Sequence, residues 1–190
     1  MAIVRAQPED STQQAAVLVV YYSRDGHTHT VAESLAKKFN ADLERLIDTK
    51  NRSGAAGTSS AGKDAYAGAL TLLEPLRHDP QRYDVILIGT PGWFGNVTPA
   101  VRTFIKENSL AGKKIGLFGT VNLTGIESAL AQAAKLIAGD AGGKIPTLPL
   151  RKRDLKDDVL AQKIDRFFTE FNRADAAATQ RAGTAADAAQ

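Results

Sequence analysis

The sequence predicts a three-layer α/β sandwich, a five-stranded parallel sheet in the order 2-1-3-4-5 with helices on both faces. Three observations carry this. Unbroken apolar runs, Val17-Leu18-Val19-Val20-Tyr21-Tyr22 and Val85-Ile86-Leu87-Ile88 above all, read as strands buried on both faces. Each is followed by apolar residues at helical spacing. Five such strands alternating with helices require right-handed crossovers and a sheet covered on both sides. In that order the loops after strands one, three and four are neighbours at the carboxyl edge, where the switch point opens a crevice.

The elements follow in order. Residues 1–15 are polar and read as a flexible arm, and 16–172 as the domain. Val31, Ala32, Leu35, Ala36 and Phe39 give an amphipathic helix from about Thr28. Leu43, Arg45 and Ile47 alternate weakly, so 42–47 reads as an edge strand. The stretch 49–80 is longer than a standard crossover and should hold a helix plus loops. The run Asp84 to Gly89 is the third strand. Thr98 as N-cap and Pro99 at the first helical position then start a helix carrying Val101, Phe104 and Ile105. Lys114 to Phe118 is a fourth strand, followed by a helix with Thr124 and Glu127 as a capping box and Ile126, Leu130, Ala134 and Ile137 inward. A fifth strand lies near Ile145 to Leu150. From Asp154 a last helix turns Leu155, Val159, Ile164, Phe167, Phe168 and Phe171 inward. Residues 173–190 carry no large apolar residue and read as a disordered alanine-rich tail.

Composition narrows the chemistry. A chain of 190 residues that is 43% hydrophobic buries one sizeable core. With no cysteine there is no disulfide, thiolate nucleophile, iron–sulfur cluster or thiol-ligated zinc. The net charge is +3, yet no basic block interleaved with aromatics suggests nucleic acid. No apolar run approaches membrane-spanning length and no leader pattern opens the chain, so a cytoplasmic location is expected, away from membranes. Gly57 to Lys63 fits the start of a Walker A loop, but Asp64 stands in place of the magnesium-binding hydroxyl and no strong strand precedes it. His27 and His29 splay apart at a helix start and His78 is isolated, so no metal cluster follows. His29 is expected in solvent, as is the face shared by Arg102 and Lys106.

The first strand runs into Ser23-Arg24-Asp25-Gly26-His27-Thr28. Unpaired amides at a helix N-terminus, hydroxyls from Ser23 and Thr28, and close approach at Gly26 together make an anion site. A Ser/Asp/Gly turn of this kind also joins strand to helix with no ligand at all. The run resembles the phosphate loop of flavodoxins, Ser/Thr-x-Thr-Gly-x-Thr, which holds the phosphate of FMN. Asp25 departs from that pattern, as it does in flavodoxin-like protoporphyrinogen oxidases. At about 6 Å and an effective dielectric near 20, its carboxylate opposes each phosphate charge by roughly 3 kcal/mol. It must therefore point away or bond to the local backbone.

A second stretch, Pro91-Gly92-Trp93-Phe94-Gly95-Asn96, follows the third strand and resembles the flavin-contacting loop of flavodoxin-like oxidoreductases. There the resemblance implies that Trp93 and Phe94 flank the isoalloxazine; the alternative for the single tryptophan is a core aromatic closing the domain. The third loop, Thr120-Val121-Asn122, has no tyrosine where flavodoxins stack the other ring face, and leaves backbone amides for the pyrimidine edge. The resemblance spans about residues 16–171. It implies a non-covalent FMN cofactor and a redox partner protein, or a small quinone or nicotinamide substrate on an open ring face. Electron carriage, an NAD(P)H- or quinone-linked oxidoreductase, and a flavin-free binding module are the three functions it leaves open.

Overall fold

The computed structural model describes residues 15–52, 54–139 and 144–187. Strands β1 (Val17–Tyr21), β2 (Asp42–Arg45), β3 (Val85–Pro91), β4 (Lys114–Val121) and β5 (Thr147–Arg151) form one sheet in the order β2-β1-β3-β4-β5. Every pairing is parallel, with Val17 opposite Val85, Gly89 opposite Phe118, and Pro91 opposite Thr120. The helices are α1 (His27–Phe39), α2 (Gly54–Tyr66), α3 (Pro99–Glu107), α4 (Ile126–Ala138) and α5 (Asp157–Asp187).

Strand periodicity divides the core. Leu18, Val20 and Tyr22 point to one face, where Ile86, Ile88 and Leu117 meet Ala61 of α2, Phe104 of α3 and Leu130 of α4. Val19 and Tyr21 point to the other, where Leu87, Phe118 and Leu150 meet Val31 and Leu35 of α1 and Ile164, Phe167 and Phe171 of α5. Each fully buried Leu, Ile or Phe contributes about 1.5–3 kcal/mol through loss of contact with water. That rigid two-sided core fixes the strand ends, and the loops that leave them are positioned by it.

Several local expectations are corrected. The helix after β4 starts at Ile126 with Gly125 as N-cap in the left-handed region, at φ 95°, so Thr124 and Glu127 make no capping box. Glu127 instead pairs with Arg151 at 3.1 Å. Asp154 does not begin the last helix: its carboxylate accepts from the Arg151 amide at 2.8 Å and closes a 3-10 turn over Lys152–Leu155. Starting three residues later turns Leu160 inward and leaves Val159 exposed. The helix then continues past Phe171 to Asp187, through the stretch expected to be a tail, where alanine has the highest helix propensity. The arm expected over 1–15 lies outside the described residues except for its last position.

The insertion is tied down by charge. Asp48 bridges to Leu73 across its two ends. Arg52 has a side chain only 3% exposed and holds Asp48 through Nε at 2.9 Å and Asp64 through Nη1. The segment resembling a Walker loop is part of α2, so its amides are spent within a helix rather than cradling an anion.

Candidate functional site

The loops after β1, β3 and β4 meet at the carboxyl edge, stitched by hydrogen bonds between distant parts of the chain. The Tyr22 amide donates to the Gly89 carbonyl at 3.1 Å, and the Gly92 amide to that of Thr120 at 2.8 Å. The hydroxyls of Thr28 and Thr120 lie 2.8 Å apart and buried. Whichever donates, one of the two protons is left for another acceptor. Between the loops lies a cleft of about 190 Å³, lined by Ser23, Arg24, Asp25, His27 and Thr28, by Pro91, Gly92, Trp93 and Phe94, and by Thr120, Val121 and Asn122.

The first loop carries an unmet demand. Ser23 is buried, and its Oγ has no hydrogen-bond partner. Beside it α1 begins at Gly26, whose φ of 88° suits glycine, and no side chain caps the helix. The positive end of the helix dipole therefore has no side-chain partner. Asp25 neither turns away nor binds backbone. Arg24 grips it through Nε at 3.0 Å and Nη2 at 3.1 Å, and this hydrogen bonding holds the carboxyl below its usual range. A guanidinium within hydrogen-bond distance offsets the repulsion the sequence alone would assign to that carboxylate.

In the second loop, Phe94 and Gly95 both adopt positive φ, 52° and 73°, and make a tight turn closed by paired hydrogen bonds between Trp93 and Asn96. Asn96 braces the turn, donating to the Phe94 carbonyl at 2.8 Å and accepting from Gln132 at 2.7 Å. Gly26, Gly95 and Asn96 thus shape the loops rather than line the cleft. Trp93 is 9% exposed and belongs to the core, edge-on to Tyr22 with ring centroids 5.6 Å apart. It still reaches the cleft, where the Arg24 guanidinium sits 5.5 Å from its ring centre, a cation–π distance. Phe94 is the exposed aromatic, at 80%. The side chain of Leu123, just past the third loop, is exposed as well.

One lining residue was not foreseen. Gly62 of α2 packs under Phe94, and a Cβ there would fall 2.3 Å from the ring's Cε2. In the sequence it stood only within the Walker-like run Gly57 to Lys63. Three polar side chains also differ from expectation. His29 stacks on Tyr21 and shares a 2.6 Å hydrogen bond with its hydroxyl. His78 is not isolated but lies 2.7 Å from the buried Glu44 carboxylate. Arg102 is half-buried, and burial lowers its pKa.

The fold and cleft define a doubly wound α/β protein with an uncapped helix start, a buried unpartnered hydroxyl and aromatic groups gathered at the switch point. The chain belongs to the flavodoxin family, whose match extends over residues 16–157. It is similar to an NAD(P)H dehydrogenase (quinone) of Chromohalobacter salexigens, 31% identical over 109 residues, covering 54% of this chain and 53% of the relative. The chain thus spans about half the length of that curated relative. Among solved structures it resembles a flavoprotein in complex with FMN from Lactobacillus acidophilus NCFM, with a TM-score of 0.57, 21% identity, and 76% of this chain and 97% of that one covered. It also resembles a flavodoxin, WrbA-like protein from Agrobacterium tumefaciens, with a TM-score of 0.56, 21% identity, and 85% and 98% covered. No helix among the described residues is long and apolar enough to cross a membrane.

Proposed function

We propose that the cleft holds FMN and that the protein carries electrons through it. The observation that carries this reading is the Ser23 hydroxyl, buried without a partner in the wall of the cleft. An unmet buried hydroxyl costs about 1–3 kcal/mol, a cost that a phosphate oxygen in that position removes. The uncapped start of α1 and the proton left over from the Thr28–Thr120 pair supply further donors for the same group. Trp93, Phe94 and the amides of Thr120 to Asn122 form the walls against which a flat ring packs, aromatic contact adding about 0.5–1.5 kcal/mol beyond area burial. Bound FMN supplies the electron chemistry, and the protein holds and tunes it.

The test is an absorption spectrum of the protein purified with added FMN. A flavin band that stays with the protein through gel filtration supports the reading, and a colourless protein refutes it.

A second reading, an NAD(P)H- or quinone-linked oxidoreductase, is favoured by the third loop. Thr120-Val121-Asn122 carries no aromatic, which leaves one ring face open to a flat substrate, and Phe94 and Leu123 add an apolar rim. The net charge of +3 also suits docking to basic partner proteins poorly. Rapid anaerobic bleaching by NADPH with turnover on a benzoquinone selects the enzyme. Slow, non-catalytic reduction selects the carrier.

A further inference from the structure

A second cavity, of about 270 Å³, opens beside the first and shares Ser23 and Arg24 with it. Its remaining polar walls come from the end of β2 and the start of the insertion, chiefly Arg45, Asp48, Lys50 and Arg52. Three of these side chains are cations, and Arg24 makes a fourth. The carboxylates paired with them are Asp25 on Arg24, Asp64 on Lys50 and Arg52, and Asp48 on Arg52. Four cations against three carboxylates leave the cavity with an excess of positive charge, and Arg45 is the cation without an ion pair among the described residues.

Arg52 supplies an independent observation. Its side chain is 3% exposed, Nε and Nη1 are taken by Asp48 and Asp64, and Nη2 is buried with no hydrogen-bond partner. A buried guanidinium nitrogen with unmet protons is a strong and directional donor awaiting an oxygen. Tyr22 stands in the same wall. Burial, and after it the charge of Asp48, raise the pKa of its phenol, so at neutral pH it is a donor as well.

We propose that this cavity is a second anion site, which takes the phosphate group of a small phosphorylated ligand next to the first cradle. Converging cations with forked donors suit a dianion better than a monoanionic carboxylate. The inference goes beyond the flavin reading and needs FMN only as a blocker of the neighbouring cleft.

The test is calorimetric titration of the full chain with pyrophosphate at constant ionic strength, with and without saturating FMN. Two pyrophosphate sites are expected without FMN and one with it. Arg45→Gln should weaken the remaining site about tenfold, the effect of removing one charge-assisted hydrogen bond, and Arg45→Lys should restore part of the loss. Arg45 is exposed and its Nη2 donates to the Ser23 carbonyl at 3.1 Å, so unchanged FMN affinity in both variants is the check that the first loop is intact. Loss of all pyrophosphate heat in the FMN-saturated protein, or equal affinity in Arg45→Gln, overturns the proposal. If FMN itself does not bind while an Arg45-dependent isotherm persists, the flavin reading fails and this site stands. Competition by NADP+ and not by NAD+ assigns the phosphate to a nucleotide's 2′ position; competition by neither assigns it to a smaller phosphorylated compound.

Discussion

Replacing Ser23 by alanine is expected to move two quantities in opposite directions. In the protein without flavin the Ser23 hydroxyl is buried and unpartnered. Removing it relieves a penalty of about 1–3 kcal/mol, less the few contacts of one oxygen atom, so a gain of about 1 kcal/mol is expected. For a domain of this size that corresponds to a rise of about 2–4 °C in melting temperature. With flavin, the same hydroxyl is proposed to donate to a charged phosphate. Such bonds contribute about 1.5–3 kcal/mol, so FMN affinity should fall by about one to two orders of magnitude. Circular dichroism melts of the FMN-free protein and quenching of FMN fluorescence on titration read the two quantities separately. A Ser23→Ala protein that melts lower and binds FMN as the wild type does would refute the reasoning.

Three other changes have defined outcomes. Gly62→Ala should stabilise the FMN-free protein by about 0.5–1 kcal/mol through helix propensity, because the exposed Phe94 ring can swing clear of the new Cβ; FMN affinity should fall as that wall moves, measured by the same titration. Burial works to raise the pKa of Asp154, but the Arg151 amide and Lys163 outweigh it and leave the carboxyl lowered. Such a group stabilises the fold above its unfolded pKa of about 3.9 and loses that contribution as pH falls through its folded value. Denaturant melts of Asp154→Asn should therefore show a shallower loss of stability below about pH 4 than the wild type. Burial and the hydrogen bond to Asp42 push the Tyr83 phenol up to about 12. Its contribution is present below the unfolded value of about 10 and lost as pH rises through the folded one, so tyrosinate absorbance should show a late-ionising phenol that Tyr83→Phe removes.

What was legible in the chain was what depends on long runs and on topology. Val17 to Tyr22 and Val85 to Ile88 are apolar without alternation because both faces of their strands are covered, and their shortness and β-branched content set them apart from a buried helix. Once five parallel strands are placed, chain geometry alone brings the three loops to one edge, which is why residues as far apart as Thr28 and Thr120 could be grouped before either was located. What escaped was set by side-chain partners across the chain or by single backbone angles. The Arg24–Asp25 fork involves adjacent residues, yet a turn sequence does not say whether a carboxylate bonds to backbone or to its neighbour. The helix that carries Glu127 opens on the positive φ of Gly125, which outranks the Thr124 hydroxyl as a start signal. A start three residues later changed the phase of α5 enough to exchange Val159 for Leu160. Glu44 and His78 are linked only through the insertion, whose path carries no periodic signal. Trp93 is packed into the core along one edge and open to the cleft along another, so the two readings offered for it do not exclude each other.

The most direct test of the central claim is titration of FMN-free protein with FMN, followed by fluorescence quenching and repeated with Ser23→Ala and Thr28→Ala. Saturation at one flavin per chain, weakened in each variant, is the result expected of a phosphate cradle at the start of α1. Absence of saturable uptake by the wild type, or uptake that both variants leave unchanged, would contradict it.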